Sequence, residues 1–231
     1  MPRSKLSCDS PNPDDMEHLF IQYAYSDPRL FFSWVIVVCF SICVHEWAHA
    51  DMALRCGDDT ATRAGHLSLN PMVQMGIGSL VMLAMFGIAW GAVPVDVSRL
   101  RRRTDGALVS FAGPAANLVL ALAFSLLFVG LAMTPLSTHP LENILRLGCM
   151  ANGVLFLFNM LPVPMFDGWS VFSLWFPAMR RVRVDQAQTF GGIFLLMVFV
   201  TPLGAQIWKG GSAIGDACVT LWLVFFALIG M

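Results

Sequence analysis

His45, Glu46 and His49 lie in the run V-I-V-V-C-F-S-I-C-V-H-E-W-A-H-A-D-M-A, residues 35–53. A carboxylate and two imidazoles inside so apolar a stretch are costly, and they persist where they have a partner or a task. On a helix, residues four apart share a face, so both imidazoles point the same way one turn apart. Two such nitrogens can hold one zinc ion at about 2.0–2.1 Å each. Glu46 follows the first histidine and can sit beside a zinc-activated water without ligating the metal. A catalytic zinc usually keeps three protein ligands, so the pattern calls for a third.

Asp167 is one of very few acids set in apolar sequence after that run. It follows Pro162 and Pro164, which cannot continue a helix and free backbone groups nearby. Such broken chain is tolerated in a membrane where it lines a protein- or water-filled cavity. Asp167 thus reads as a metal ligand or, equally, as an exposed loop acid at a helix N-cap. Asn159, eight residues earlier, could donate a hydrogen bond to a developing oxyanion. Two further polar residues have milder readings. His66 is an interfacial residue or a fourth metal contact, and Asn117 is a polar contact between helices or a neighbour of the site. His18 reads as a surface histidine.

These side chains must be positioned by membrane helices. Of 231 residues, 57% are hydrophobic and 13% charged, and the mean hydropathy is +0.68; a soluble domain has about a quarter of its residues charged. The net charge of −1 and the lack of a basic domain exclude a nucleic-acid partner. Six cysteines without a C-x-x-C read as buried apolar fillers. The chain divides into a polar tail and interfacial segment (1–29), a membrane core (30–175), and a loop with two C-terminal membrane helices (176–231). The first span, Leu30–Ala53, begins too late and runs too long for a cleaved signal peptide. Polar residues 54–71 form a loop with a short strand near Leu67–Leu69. The glycine-rich run 72–93 ends as extended chain over 89–97, since Pro94 biases Val93 away from helix. Arg99, Arg101, Arg102 and Arg103 then read as an orientation signal at a membrane face. Further spans follow at Gly106–Met133, about Glu142–Leu161, Gln188–Leu203 and Ala213–Met231.

Three motifs in order, V-H-E-W-A-H-A (44–50), A-G-P-A-A-N-L (112–118) and N-M-L-P-V-P-M-F-D-G (159–168), resemble those of the site-2 protease family of intramembrane zinc metalloproteases. The stretch 54–71 looks like a small bacterial subgroup, and the resemblance covers about Leu30–Trp169. It implies that His45, His49 and Asp167 hold a single zinc ion, that Glu46 is the catalytic base, and that Asn159 binds substrate or transition state. It also implies a bacterial inner-membrane location, a lipid bilayer as surroundings, and a transmembrane protein as substrate in regulated intramembrane proteolysis. Asp167-Gly168-Trp169 departs from the family's more usual D-G-G or D-G-S. The loop 134–142 is too short for the PDZ domain that some members carry.

A shared metal constrains topology. The histidines lie near the C-terminal end of one span and Asp167 at the C-terminal end of another, so both ends must reach one membrane side. Of the two intervening apolar runs, only one can cross. The run 72–93 is expected to turn back as a re-entrant hairpin, and 89–97 offers an edge on which a substrate could pair as a strand. The fold expected is therefore an all-α polytopic membrane protein with about five transmembrane helices, plus a re-entrant hairpin with short β segments near the site. Most arginines then fall on one side, which the positive-inside rule makes cytoplasmic. The competing class is a non-proteolytic metal-binding membrane protein, a zinc transporter or scaffold. The concentration of intramembrane acids at Glu46 and Asp167 favours one fixed site over a transport path. No residue pattern specifies an oligomeric state.

Overall fold

A computed structural model describes residues 20–134 and 141–230. The expected polar tail 1–17, His18 and most of the loop 134–142 lie outside these residues. The chain runs through α1 (Tyr23–Ser26), α2 (Pro28–Cys56), α3 (Thr60–Arg63), α4 (Pro71–Gln74), α5 (Gly76–Phe86), α6 (Asp105–Ala132), α7 (Leu141–Asn159), α8 (Asp167–Phe172), α9 (Val184–Val200) and α10 (Leu203–Leu228). Four of these, α2, α6, α7 and α10, are long and apolar enough to cross a membrane.

The limits of α2 follow from its ends. Asp27 caps it by accepting from the Leu30 amide, and Pro28 occupies the first turn, where a missing N–H costs nothing. Gly57 ends it at φ 107°, a left-handed geometry that favours glycine. The helix packs against α6 and α7, and α7 lies along both α6 and α10. Their common core includes Val37, Ile42, Phe128, Met150 and Val219. The α7–α10 crossing is close because glycines form it. A Cβ on Gly153 would strike the Gly211 carbonyl, and Gly215 lies against Cys149. The outer faces carry exposed Phe32, Ile36, Phe40, Val119 and Phe225, as a lipid-facing surface requires.

The run 72–93 goes out and comes back. The helix α5 has 11 residues, about 16 Å in length, roughly half a hydrocarbon core. It stops at Gly87, φ 71°, where the Trp34 indole donates to the Gly87 carbonyl at 2.8 Å. The chain then returns, and the Ala92 amide donates to the Gln74 carbonyl at 3.1 Å.

The expected β segments do not form: no strand occurs among the described residues. Side chains take the place of a ladder. The Ser79 hydroxyl accepts from the Trp90 amide at 2.8 Å and donates to the Trp90 carbonyl at 2.6 Å. Near Leu67–Leu69, the Gln74 amide donates to the carbonyls of His66 and Ser68 at 2.8 and 2.6 Å. The two C-terminal runs also differ from expectation in their bounds. They form α9 and α10, separated by Thr201 and Pro202.

Candidate functional site

The elements meet where α2 presents His45, Glu46 and His49. All three are buried, on a helix whose neighbour α6 passes at Gly113. A Cβ at that position would strike the Nε2 atoms of both histidines, so α6 runs directly over the imidazoles. Asp167 arrives as the first residue of α8, after a turn in which Met165 adopts φ 79°. Gly168 sits so close to the Met160 and Leu161 carbonyls that a side chain there would collide with the backbone. That packing aims Asp167 back at α2.

His45 Nε2 and His49 Nε2 lie 3.2 and 3.3 Å from Asp167 Oδ2 and 3.0 Å from each other. The three side chains offer ligand atoms all within 4.8 Å of one another. The opposite edges of the rings are occupied. His49 Nδ1 lies 2.7 Å from the Val109 carbonyl, which can only accept, so this nitrogen carries the hydrogen. His45 Nδ1 lies 2.6 Å from Asn117 Oδ1. With both Nδ1 atoms donating outward, the Nε2 lone pairs and a carboxylate oxygen converge on one point. Such a donor set is satisfied by a shared cation, and two imidazoles with a carboxylate suit zinc.

Glu46 stands beside this group and makes no hydrogen bond among the described residues. Gly91, on the returning limb of the hairpin, lies so close that a Cβ would overlap the Glu46 carboxyl. The site opens into a cleft of about 840 Å³ whose lining includes His45, Glu46, His49, Asn159 and Asp167. The Asn159 amide nitrogen donates to the Leu155 carbonyl at 3.0 Å, leaving a second N–H. One wall of the cleft is chain 91–97. The amides of Gly91, Val93 and Val95 have no partner among the described residues.

Asp58, directly after α2, anchors the rim. It is fully buried and accepts from the Thr60 amide and hydroxyl and, at 2.7 Å, from the Asp96 amide. Burial pushes its carboxyl up, but these hydrogen bonds and the nearby Arg99 charge outweigh burial and hold it below the usual carboxylate range. The neighbouring Asp59 pairs with Arg63 and Arg99.

Other expectations resolve plainly. His66 stands outside the convergent group, and its Nδ1 lies 3.1 Å from Gln74 Oε1. Asn117 does adjoin the site, through His45. Two features escaped the sequence reading. The block Arg101–Arg103, read from the sequence only as an orientation signal, lines the cleft. Asn152, fully buried in α7, joins Asn117; its position as the one polar amide in the apolar stretch 147–158 was the available signal.

No protein-family model and no solved structure matches the chain. Among curated proteins, several relatives carry the name "putative zinc metalloprotease". YwhC of Bacillus subtilis is 36% identical over 201 residues, covering 83% of this chain and 91% of that protein. Rip2 of Mycobacterium tuberculosis is 33% identical, over 80% of this chain and 79% of the relative. Rip2 of Mycolicibacterium smegmatis is 30% identical, over 70% and 64%. With identity of this extent along most of both chains, the protein belongs to the site-2 protease family of zinc metalloproteases.

Proposed function

We propose that the protein is an intramembrane zinc endopeptidase that cuts peptide bonds within or near the transmembrane segments of other membrane proteins, as a step in regulated intramembrane proteolysis. One observation carries this reading. His45 and His49 on α2 and Asp167 on α8 converge within hydrogen-bonding range, although more than a hundred residues and two long apolar helices separate them. In this reading His45, His49 and Asp167 hold the metal, Glu46 is the catalytic base and Asn159 is an oxyanion donor.

Zinc bound by these three side chains supplies a Lewis acid for activating water and polarising the scissile carbonyl. The Glu46 carboxylate takes the proton of the attacking water, then returns it to the leaving amine nitrogen. The second N–H of Asn159 steadies the oxyanion. A helical substrate masks its own peptide bonds, so it must unwind before attack. The unpartnered amides of Val93 and Val95 are two residues apart, the spacing at which a strand edge offers its donors. They suit a substrate laid along chain 91–97 in extended form.

The same reading assigns five crossings, by α2, α6, α7, α9 and α10, with the hairpin 74–92 entering and leaving on one side. The core is 30–175, flanked by the N-terminal segment 1–29 and a C-terminal helical pair within 176–231. The arginines beside the cleft favour a site near the cytoplasmic face of a bacterial inner membrane.

The test is Glu46→Gln in lipid vesicles containing a single-span substrate. The variant is expected to keep its zinc and lose cleavage by at least 100-fold. Continued cleavage would remove the proposed mechanism, and zinc flux into sealed vesicles without cleavage would establish the transporter alternative.

A further inference from the structure

We infer that Asn152, whose side chain hydrogen-bonds to Asn117, Ser41 and Gly148 and not to the three convergent side chains, is a positioning residue that dictates which nitrogen of His45 faces the metal. The inference rests on the zinc-site reading above. It follows the direction of hydrogen bonds through a buried chain linking three helices. Asn152 Nδ2 lies 2.8 Å from the Gly148 carbonyl and 2.9 Å from Ser41 Oγ on α2. A backbone carbonyl can only accept, so this end of the Asn152 amide must be its NH2 group. The other end is therefore oxygen, and it accepts from Asn117 Nδ2 at 3.0 Å. Asn117 is thereby turned with its own oxygen toward His45 Nδ1, 2.6 Å away. An oxygen there requires the hydrogen on Nδ1, which leaves the Nε2 lone pair toward Asp167 and the metal.

The two histidines thus reach the same tautomer by different means. For His49 the acceptor is the Val109 backbone carbonyl, which cannot rotate. For His45 it is a carboxamide, whose two ends differ little in shape and could present NH2 instead. That reversed orientation would make Nδ1 an acceptor and put the hydrogen on Nε2, where it blocks coordination. Asn152 removes the ambiguity. Asn117, Asn152 and Ser41 are all fully buried, with no water-exposed surface to compensate a reversal.

The experiment is a double-mutant cycle on the full-length protein in detergent, with zinc affinity measured by competition with a chelator. Asn152→Leu is expected to weaken zinc binding by roughly 10–100-fold, the usual cost of losing the partner that orients a metal-binding histidine. Asn117→Asp supplies a group that can only accept, so His45 no longer depends on Asn152. In that background Asn152→Leu should cost less than about threefold. Equal losses in both backgrounds would assign Asn152 a purely structural role and overturn the inference, as would unchanged zinc affinity in Asn152→Leu alone. If Asn152→Leu does not fold, Asn152→Ala removes the acceptor without adding a polar group and carries the same expectations. A wild-type protein that holds no zinc would refute the site itself. A wild-type protein that holds zinc, with Asn152 variants unchanged, would refute only this inference and leave the protease reading intact.

Discussion

Gly113→Ala isolates the metal centre from everything else in the fold. Gly113 is an interior residue of α6, where alanine is the better helix former by about 1 kcal/mol. The helix alone should therefore gain from the change. The added methyl, however, falls 2.6 Å from His45 Cε1 and Nε2 and closer still to His49 Nε2, against an ordinary contact distance of about 3.4 Å. Relief demands a shift of about 0.8 Å in rings that cannot swing freely, since each Nδ1 is tethered at 2.6 or 2.7 Å. Zinc–nitrogen distances tolerate about 0.2 Å. A displacement several times that tolerance should cost at least 100-fold in zinc affinity, about 2.7 kcal/mol. The assay is chelator competition, with resistance of the fold to heat and protease measured alongside. Near-wild-type zinc affinity in a folded Gly113→Ala protein would mean that the imidazoles do not point at a shared ion. The Nε2 lone pairs would then not converge on one cation.

Two more outcomes follow from neighbouring contacts. Gly91→Ala drives a methyl into the Glu46 carboxyl, whose atoms are the nearest to it; zinc should stay bound while cleavage falls by about 100-fold, the scale expected when a catalytic group is misplaced by about 1 Å. Asp58 has a lowered carboxyl in the folded protein, so its contribution is complete above the unfolded value of ~3.9 and is lost as pH falls through the lower folded value. Protection of the Asp96 amide against hydrogen exchange should follow that course, and Asp58→Asn should lower it about tenfold or more at neutral pH and flatten the profile. An acid-insensitive wild-type amide would separate Asp58 from the rim.

What the sequence disclosed is what short-range spacing and charge can encode. The four-residue interval in H-E-W-A-H puts two imidazoles on one helical face whatever the rest of the chain does. An acid stranded after two prolines marked Asp167. The requirement that one ion be shared then predicted that 72–93 turns back, and the Ala92–Gln74 bond closes that hairpin. What stayed hidden depends on the register of helices far apart in the chain. Asn117 and Asn152 are 35 residues apart, and Ser41 is 111 from Asn152; no local pattern predicts which face of α6 meets which face of α7. The β expectation failed for a related reason. Pro94 suggested extended chain, but a strand needs a partner. Ser79 and Gln74 meet those backbone groups with side chains instead.

The glycines carry information that their composition alone concealed. In the sequence, Gly91 falls in the glycine-rich run 72–93, Gly113 precedes Pro114, and Gly168 follows Asp167. In the fold each is the place where backbone presses on the proposed chemistry: Gly91 on the carboxyl of Glu46, Gly113 on both imidazoles, Gly168 on the turn that aims Asp167. The helix α6 continues through Pro114, from Asp105 to Ala132. Four polar side chains in an apolar interior are costly unless they are held together and screened from lipid. Backbone approaching without side chains does both at once. It brings α6, the hairpin and α8 near enough to enclose the site, while leaving a cleft open beside Asn159. On that logic the glycines constrain the site as tightly as the charged residues do: bulk at Gly91 or Gly113 should harm the chemistry before it harms the fold, whereas bulk at Gly168 meets backbone and should harm both.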